Sequence, residues 1–130
     1  MSFVFKINES FRHPDSAVSV SKIFGYADGL HHHQNSFRIG VMYNEANDNV
    51  AIYAYYYNNG RRFFHEIGQS DFDQLNSVEL TFKKNMYVVD LNGRTIYFTR
   101  TGKVRTYPLF PYYGGQLAAP RDVTIFLETF

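Results

Sequence analysis

Apolar and polar residues alternate along most of this chain, in short runs separated by turn-forming residues. Successive side chains of a strand point to opposite faces, so period two is the signature of strands with one buried face. "FVFKI" at residues 3–7 predicts a first strand, and "AVSVSKIFGY" at 17–26 a second, after a turn at Pro14. "SFRIGVMY" sets Phe37, Ile39, Val41 and Tyr43 on one face and Ser36, Arg38, Gly40 and Met42 on the other. "NEANDN" then turns the chain into "VAIYAYYY", with Val50, Ile52, Ala54 and Tyr56 on one face and Ala51, Tyr53, Tyr55 and Tyr57 on the other.

"NNG" at residues 58–60 is a hairpin turn in residue type, because Asn and Gly tolerate positive φ. "RRFFHEI" returns from it, and the polar stretch "GQSDFDQLNS" at 68–77 is expected to hold a short helical turn. "VELTFKK", "MYVVDL" and "RTIYF" follow, the last two joined by Asn92-Gly93, the strongest short hairpin signal. "VRTYPLFPYYGG" carries two prolines and suits an edge or a bend. "DVTIFLETF" closes the chain with Val123, Ile125 and Leu127 on one face. No helical stripe of any length competes. The expectation is an all-β fold of about ten short strands over residues 1–130, an antiparallel β-sandwich or barrel in a single domain.

Composition sharpens this. Aromatic residues make up 18% of the 130 positions, with 11 Tyr, 13 Phe and no Trp, and aromatics favour pleated, half-buried surfaces. The absence of cysteine rules out disulfides, zinc–thiolate sites and thiol catalysis. A net charge of +1 gives no footprint for nucleic acid, even where basic and aromatic residues interleave as in "RRFF". No apolar run approaches the length of a membrane span. The opening "MSFVFKINES" lacks the apolar stretch of a signal peptide. Synthesis in the cytoplasm, with incorporation into virions as one route outward, is the expectation for localisation.

Two patches carry a resemblance. "YPLFPYYGGQLAAPRDVTIFLE" resembles the closing segment of small concanavalin-like jelly-roll modules, lectin-like sandwiches of Bacteroidetes proteins. Its marks are the turn at residues 111–115, the Ala-Pro-x-Asp loop at 119–122 and the last alternating strand at 123–128. "FGYADGLHHHQNSFRIG" at 24–40 is also similar to that family. Arg121 stands where the family pattern carries His. The resemblance spans residues 24–130 and implies a concanavalin-like jelly roll that binds glycans or other surfaces. It implies no reaction, because one fold hosts many functions.

Catalysis finds little footing. Glycosidases of this architecture need two carboxylates across the scissile bond, whereas the strand acids Glu66, Glu79, Asp90 and Glu128 stand singly and Asp71 and Asp73 fall in a polar loop. No nucleophile elbow or phosphate-binding loop is present. Three candidate contact regions remain. In "HHH", an extended backbone would send His31 and His33 to one side, and a metal reading would add Asp28 or Asn35. The preferred reading is a hydrogen-bonded corner of the sandwich, and the functional alternative is a polar rim of His31, His33, Asn35 and Arg38 suited to sugar hydroxyls. The second region is the row Tyr53, Tyr55 and Tyr57, left on the non-core face if the smaller set opposite is core. The third is Tyr112 and Tyr113, presented by the Pro111 corner. No catalytic residue, metal ligand or cofactor is assigned. The leading expectation is a non-catalytic surface-contact protein, a virion decoration or fibre component. The alternative is a glycan-binding module. Partners would be glycans or other virion or surface proteins, without nucleic acid or membrane, and a homo-oligomer is compatible.

Overall fold

The alternating runs become strands. The computed structural model describes residues 1–29, 31–102, 107–109, 111 and 124–130. Among these, ten strands form: β1 (Ser2–Ile7), β2 (Ser21–Ala27), β3 (Ser36–Asn44), β4 (Asn49–Asn58), β5 (Arg61–Ser70), β6 (Asn76–Lys83), β7 (Met86–Leu91), β8 (Arg94–Thr99), β9 (Tyr107–Leu109) and β10 (Ile125–Thr129). They make two five-stranded sheets. Sheet I has the order β10-β1-β6-β7-β8, and sheet II the order β5-β4-β3-β2-β9. The protein is thus an all-β antiparallel sandwich, compatible with a jelly-roll type of module.

Period-two patterning decides which faces meet. Phe3, Phe5 and Ile7 of β1 with Tyr87, Val89 and Leu91 of β7 form the inner face of sheet I. Phe37, Ile39 and Val41 of β3 with Val50, Ile52, Ala54 and Tyr56 of β4 form that of sheet II. Burying such a side chain stabilises by about 1.5–3 kcal/mol. The register pairs Ile39 with Ala54 and Val41 with Ile52. A one-residue slip would turn this whole set to solvent, so the alternation fixes the register. The hairpins obey their turn residues: Asn59 and Gly60 have φ of 51° and 80°, and Asn92 and Gly93 of 51° and 88°, the paired left-handed geometry of two-residue hairpin turns.

Two expected elements differ. The strand expected over residues 17–26 begins only at Ser21, because Pro14–Ala17 forms a 3-10 turn. Its first turn is preset by Pro14, and His13 Nδ1 accepts from the Asp15 amide at 3.2 Å. The short helical turn expected at 68–77 is absent. β5 instead runs on to Ser70, pairing Gly68, Gln69 and Ser70 with β4 across a bulge, and β6 starts at Asn76. Of the last strand, Ile125 and Leu127 pack against the core as expected, while Val123 lies outside the described residues, as do the Ala119–Asp122 loop with Arg121 and the turn from Tyr112 to Gly115.

One polar cluster joins the sheets. Asp28, just beyond β2, meets Arg100, just beyond β8. Arg100 Nη2 donates to Asp28 Oδ1 at 2.7 Å and Nε to Oδ2 at 2.9 Å, and Nη1 donates to the Lys83 carbonyl at 2.9 Å. The Tyr87 hydroxyl donates to Asp28 Oδ2 at 3.1 Å. Side-chain exposure is 1% for Asp28 and 7% for Arg100. Gly102 leaves the space this needs, since a Cβ there would run into the Asp28 carboxylate. The hydrogen bonds to Asp28 hold the Arg100 pKa up, and burial raises that of Tyr87. Removing one partner of a buried pair strands the other charge. Arg100→Met should therefore destabilise the fold by about 3–5 kcal/mol. In urea denaturation the double variant Asp28→Leu with Arg100→Met should lose less than Arg100→Met alone.

Candidate functional site

The outer face of sheet II is set by the same alternation that fills the core. The register places Arg38 opposite Tyr55, Gly40 opposite Tyr53, Tyr55 opposite Phe64 and Tyr57 opposite Arg62. Arg38, Tyr55, Phe64 and Arg62 are therefore neighbours pointing away from the core. Two glycines allow side chains to lie flat here. A Cβ on Gly25 would collide with the Phe37 carbonyl and the Arg38 stem, and one on Gly40 with the Val20 side chain. Glycine in these strands marks close approach of a neighbour.

A groove of about 890 Å³ opens on this face. Arg38, Lys22 and Tyr55 line its middle, Arg62 and Phe64 one side, and Leu109 and Pro111 the other. His32 and His33 stand at the end formed by the β2–β3 turn, with Val18, Val20 and Met42 toward the opposite end. Val18 and Val20, which follow the 3-10 turn and precede β2, line the groove.

Tyr55 is not an open platform. It is 6% exposed, with Lys22 Nζ 4.6 Å and the Arg38 guanidinium carbon 5.4 Å from its ring centroid. These are cation–π distances. Lys22 and Arg38 are themselves only 7% and 8% exposed. Burial lowers the pKa of both, and for Lys22 the charges of Arg38 and Arg62 lower it further. Arg38 Nε is buried and finds no hydrogen-bond partner among the described residues. Phe64, by contrast, is 48% exposed, and the Arg62 guanidinium carbon lies 5.7 Å from its ring centroid.

The remaining predicted residues divide. Tyr57 is half-buried, its ring centroid 5.9 Å from Tyr55 and 5.4 Å from His33. Tyr53 lines a separate recess of about 360 Å³ with Glu45, Glu66 and Met42. His31, His32 and His33 are not extended: the amides of Gln34 and Asn35 donate to the His31 carbonyl at 2.9 and 3.4 Å, closing a turn. The pair that meets is His32 with His33, ring centroids 4.1 Å apart, and His31 is exposed outside the groove. Asn35 is a corner residue. Its Oδ1 accepts from the Asn59 amide at 3.1 Å and the Thr101 hydroxyl at 2.7 Å. Asp28 is committed to Arg100, so neither residue named beside the histidines is available to a metal. Among the described residues no group of three His, Asp or Glu side chains is placed to hold one. Tyr112 and Tyr113 lie outside the described residues.

Sequence reasoning missed Lys22, His32, Arg62, Phe64, Val18 and Val20. A usable signal was present for two of them. A two-residue turn at Asn59-Gly60 fixes Tyr57 opposite Arg62 and Tyr55 opposite Phe64, so "RRFF" had to share a face with the tyrosine row.

No protein-family model matches this chain, and no curated protein matches it.

The histidine turn gives a pH test. Burial chiefly, then the charges of His33, Arg38 and His31, lower the His32 pKa below its ordinary 6.5. As pH falls through that value the unfolded chain takes up the proton first, so stability rises with pH in this window and is lost on acidification. The urea midpoint should fall between pH 7 and pH 5, and His32→Gln should make that fall smaller. An unchanged slope in the variant would remove His32 from the account.

Proposed function

We propose that this protein is a non-catalytic binding module and that the outer groove of sheet II holds a glycan. The observation that carries this reading is Phe64, a half-exposed flat ring at the side of a groove that also offers guanidinium and imidazole donors. Sugars present an apolar C–H face and a polar rim, and a pocket for them combines one such ring with a few placed polar groups. The concanavalin-like resemblance points the same way at the level of fold. No carboxylate lines the groove among the described residues, which favours contact over hydrolysis.

A glycan array probed with a multivalent form of the protein tests the reading. The wild type should bind at least one glycan class and leave its chain length unchanged. Phe64→Ala should weaken that binding about tenfold or more, some 1.4 kcal/mol. Phe64 is the residue to change because truncating the buried Tyr55 would disturb folding. No glycan bound at high valency refutes the proposal. Shortened product would replace it with an enzymatic one, for which Glu45 and Glu66 beside Tyr53 are the carboxylates to replace first.

The virion expectation concerns where the protein acts and is compatible with the same groove. A decoration or fibre protein would sediment with particles, and its groove would face host or environmental polysaccharide. Absence from purified particles would leave the glycan reading standing alone.

A further inference from the structure

We propose that the groove selects acidic sugars, taking the carboxylate or sulfate of a glycan at Arg38, flanked by Lys22 and Arg62, while the sugar ring lies against Phe64. This rests on the glycan reading and specifies its ligand class.

Three observations converge. The first is local charge. Lys22, Arg38 and Arg62 all line the groove, and no Asp or Glu does among the described residues. A chain whose net charge is only +1 therefore concentrates like charges on one face. The second is burial. Arg38 is more than nine-tenths buried, where an ion is costly unless compensated. An aromatic face offsets part of that cost. It does not supply the acceptor that a guanidinium's N–H groups need. The third is Arg38 Nε, which is buried without a hydrogen-bond partner among the described residues. Such a donor is penalised until an acceptor arrives. Nε and a terminal nitrogen of one guanidinium together match the two oxygens of a carboxylate or sulfate. Engaging Nε in this way requires the Arg38 head group to turn off the Tyr55 ring.

The apolar flanks argue against a nucleic-acid backbone. Val18, Val20, Leu109 and Pro111 bound the cations, leaving one compact positive centre where successive phosphates would need a stripe.

The test compares matched pairs by calorimetry at low salt, using the full chain: sialyllactose with lactose, polygalacturonate with its methyl ester, and dextran sulfate with dextran. At least one acidic member should bind tenfold or more tightly than its neutral partner. The sugar-acid pairs separate carboxylate from sulfate. Arg38→Gln and Arg62→Ala should each abolish most of that preference. Arg62 is exposed, so its variant folds even if Arg38→Gln does not. Arg61→Ala removes the same charge from the same strand but outside the groove, and should change little. Equal binding of acidic and neutral partners overturns this inference and leaves the glycan reading intact. No binding to any of the six, with none on the array, removes both. If single-stranded DNA binds as well as the acidic glycans, and Arg61→Ala weakens binding as much as Arg62→Ala, the effect is unselective polyanion attraction and the inference is wrong.

Discussion

The ion pair between Asp28 and Arg100 is the constraint on which the arrangement of the two sheets depends. Core packing alone is tolerant of small slides, because apolar contacts are non-directional. A guanidinium that makes two hydrogen bonds to one carboxylate and a third to the Lys83 carbonyl is not. It ties the end of β2 to the ends of β6 and β8, and through the Tyr87 hydroxyl to β7. The neighbouring contacts extend the same seam. Thr101, one residue on, donates to Asn35, and the Asn58 side chain donates to the Thr99 carbonyl at 2.7 Å. The turn that carries His32 and His33 is thus held by the same polar closure that joins the sheets, and the groove inherits its shape at that end.

Most of the fold was legible because period two is a strong constraint. Every residue assigned inward on β3 and β4 by alternation is inward, apart from Tyr43, which is half-buried at the margin of the core. Hairpins at Asn59-Gly60 and Asn92-Gly93 followed from the tolerance of these residues for positive φ. The two misreadings have one cause. Alternation at residues 17–20 and polar composition at 68–70 are both local signals, whereas strand pairing is decided by the tertiary partner. Val18 and Val20 alternate like a strand, yet neither pairs in a strand among the described residues. Gly68 to Ser70 look like loop, yet β4 extends far enough to pair with them.

The site was legible in part, and for a different reason. Alternation correctly put Arg38, Tyr53, Tyr55 and Tyr57 on the outer face. It cannot say what lies on top of them. Whether a tyrosine on that face is open or covered depends on its neighbours across the sheet, and here Lys22 and Arg38 fold over Tyr55 because Gly25 leaves room for the arginine stem. Net charge is silent on placement. A sum over the chain hides position, and near-neutrality is compatible with three cations lining one groove.

Among the described residues two arginines are buried, Arg38 and Arg100, and they contrast. Arg100 meets a carboxylate, a carbonyl and the faces of Phe82 and Tyr87. Each of its side-chain nitrogens donates a hydrogen bond, so nothing about it invites a ligand. Arg38 is as deeply buried, but it rests on the face of Tyr55, and its Nε–H has no hydrogen-bond partner among the described residues. If stability alone had shaped the outer face, an apolar residue or an acidic partner would serve better at Arg38, since an uncompensated buried charge is among the costlier features a core-adjacent surface can carry. Cation–π contact holds such charges in place without neutralising them, whereas an ion pair does both. The same chain uses an ion pair at Arg100 and aromatic support at Arg38, and that contrast is the physical argument for placing the proposed binding surface at Arg38.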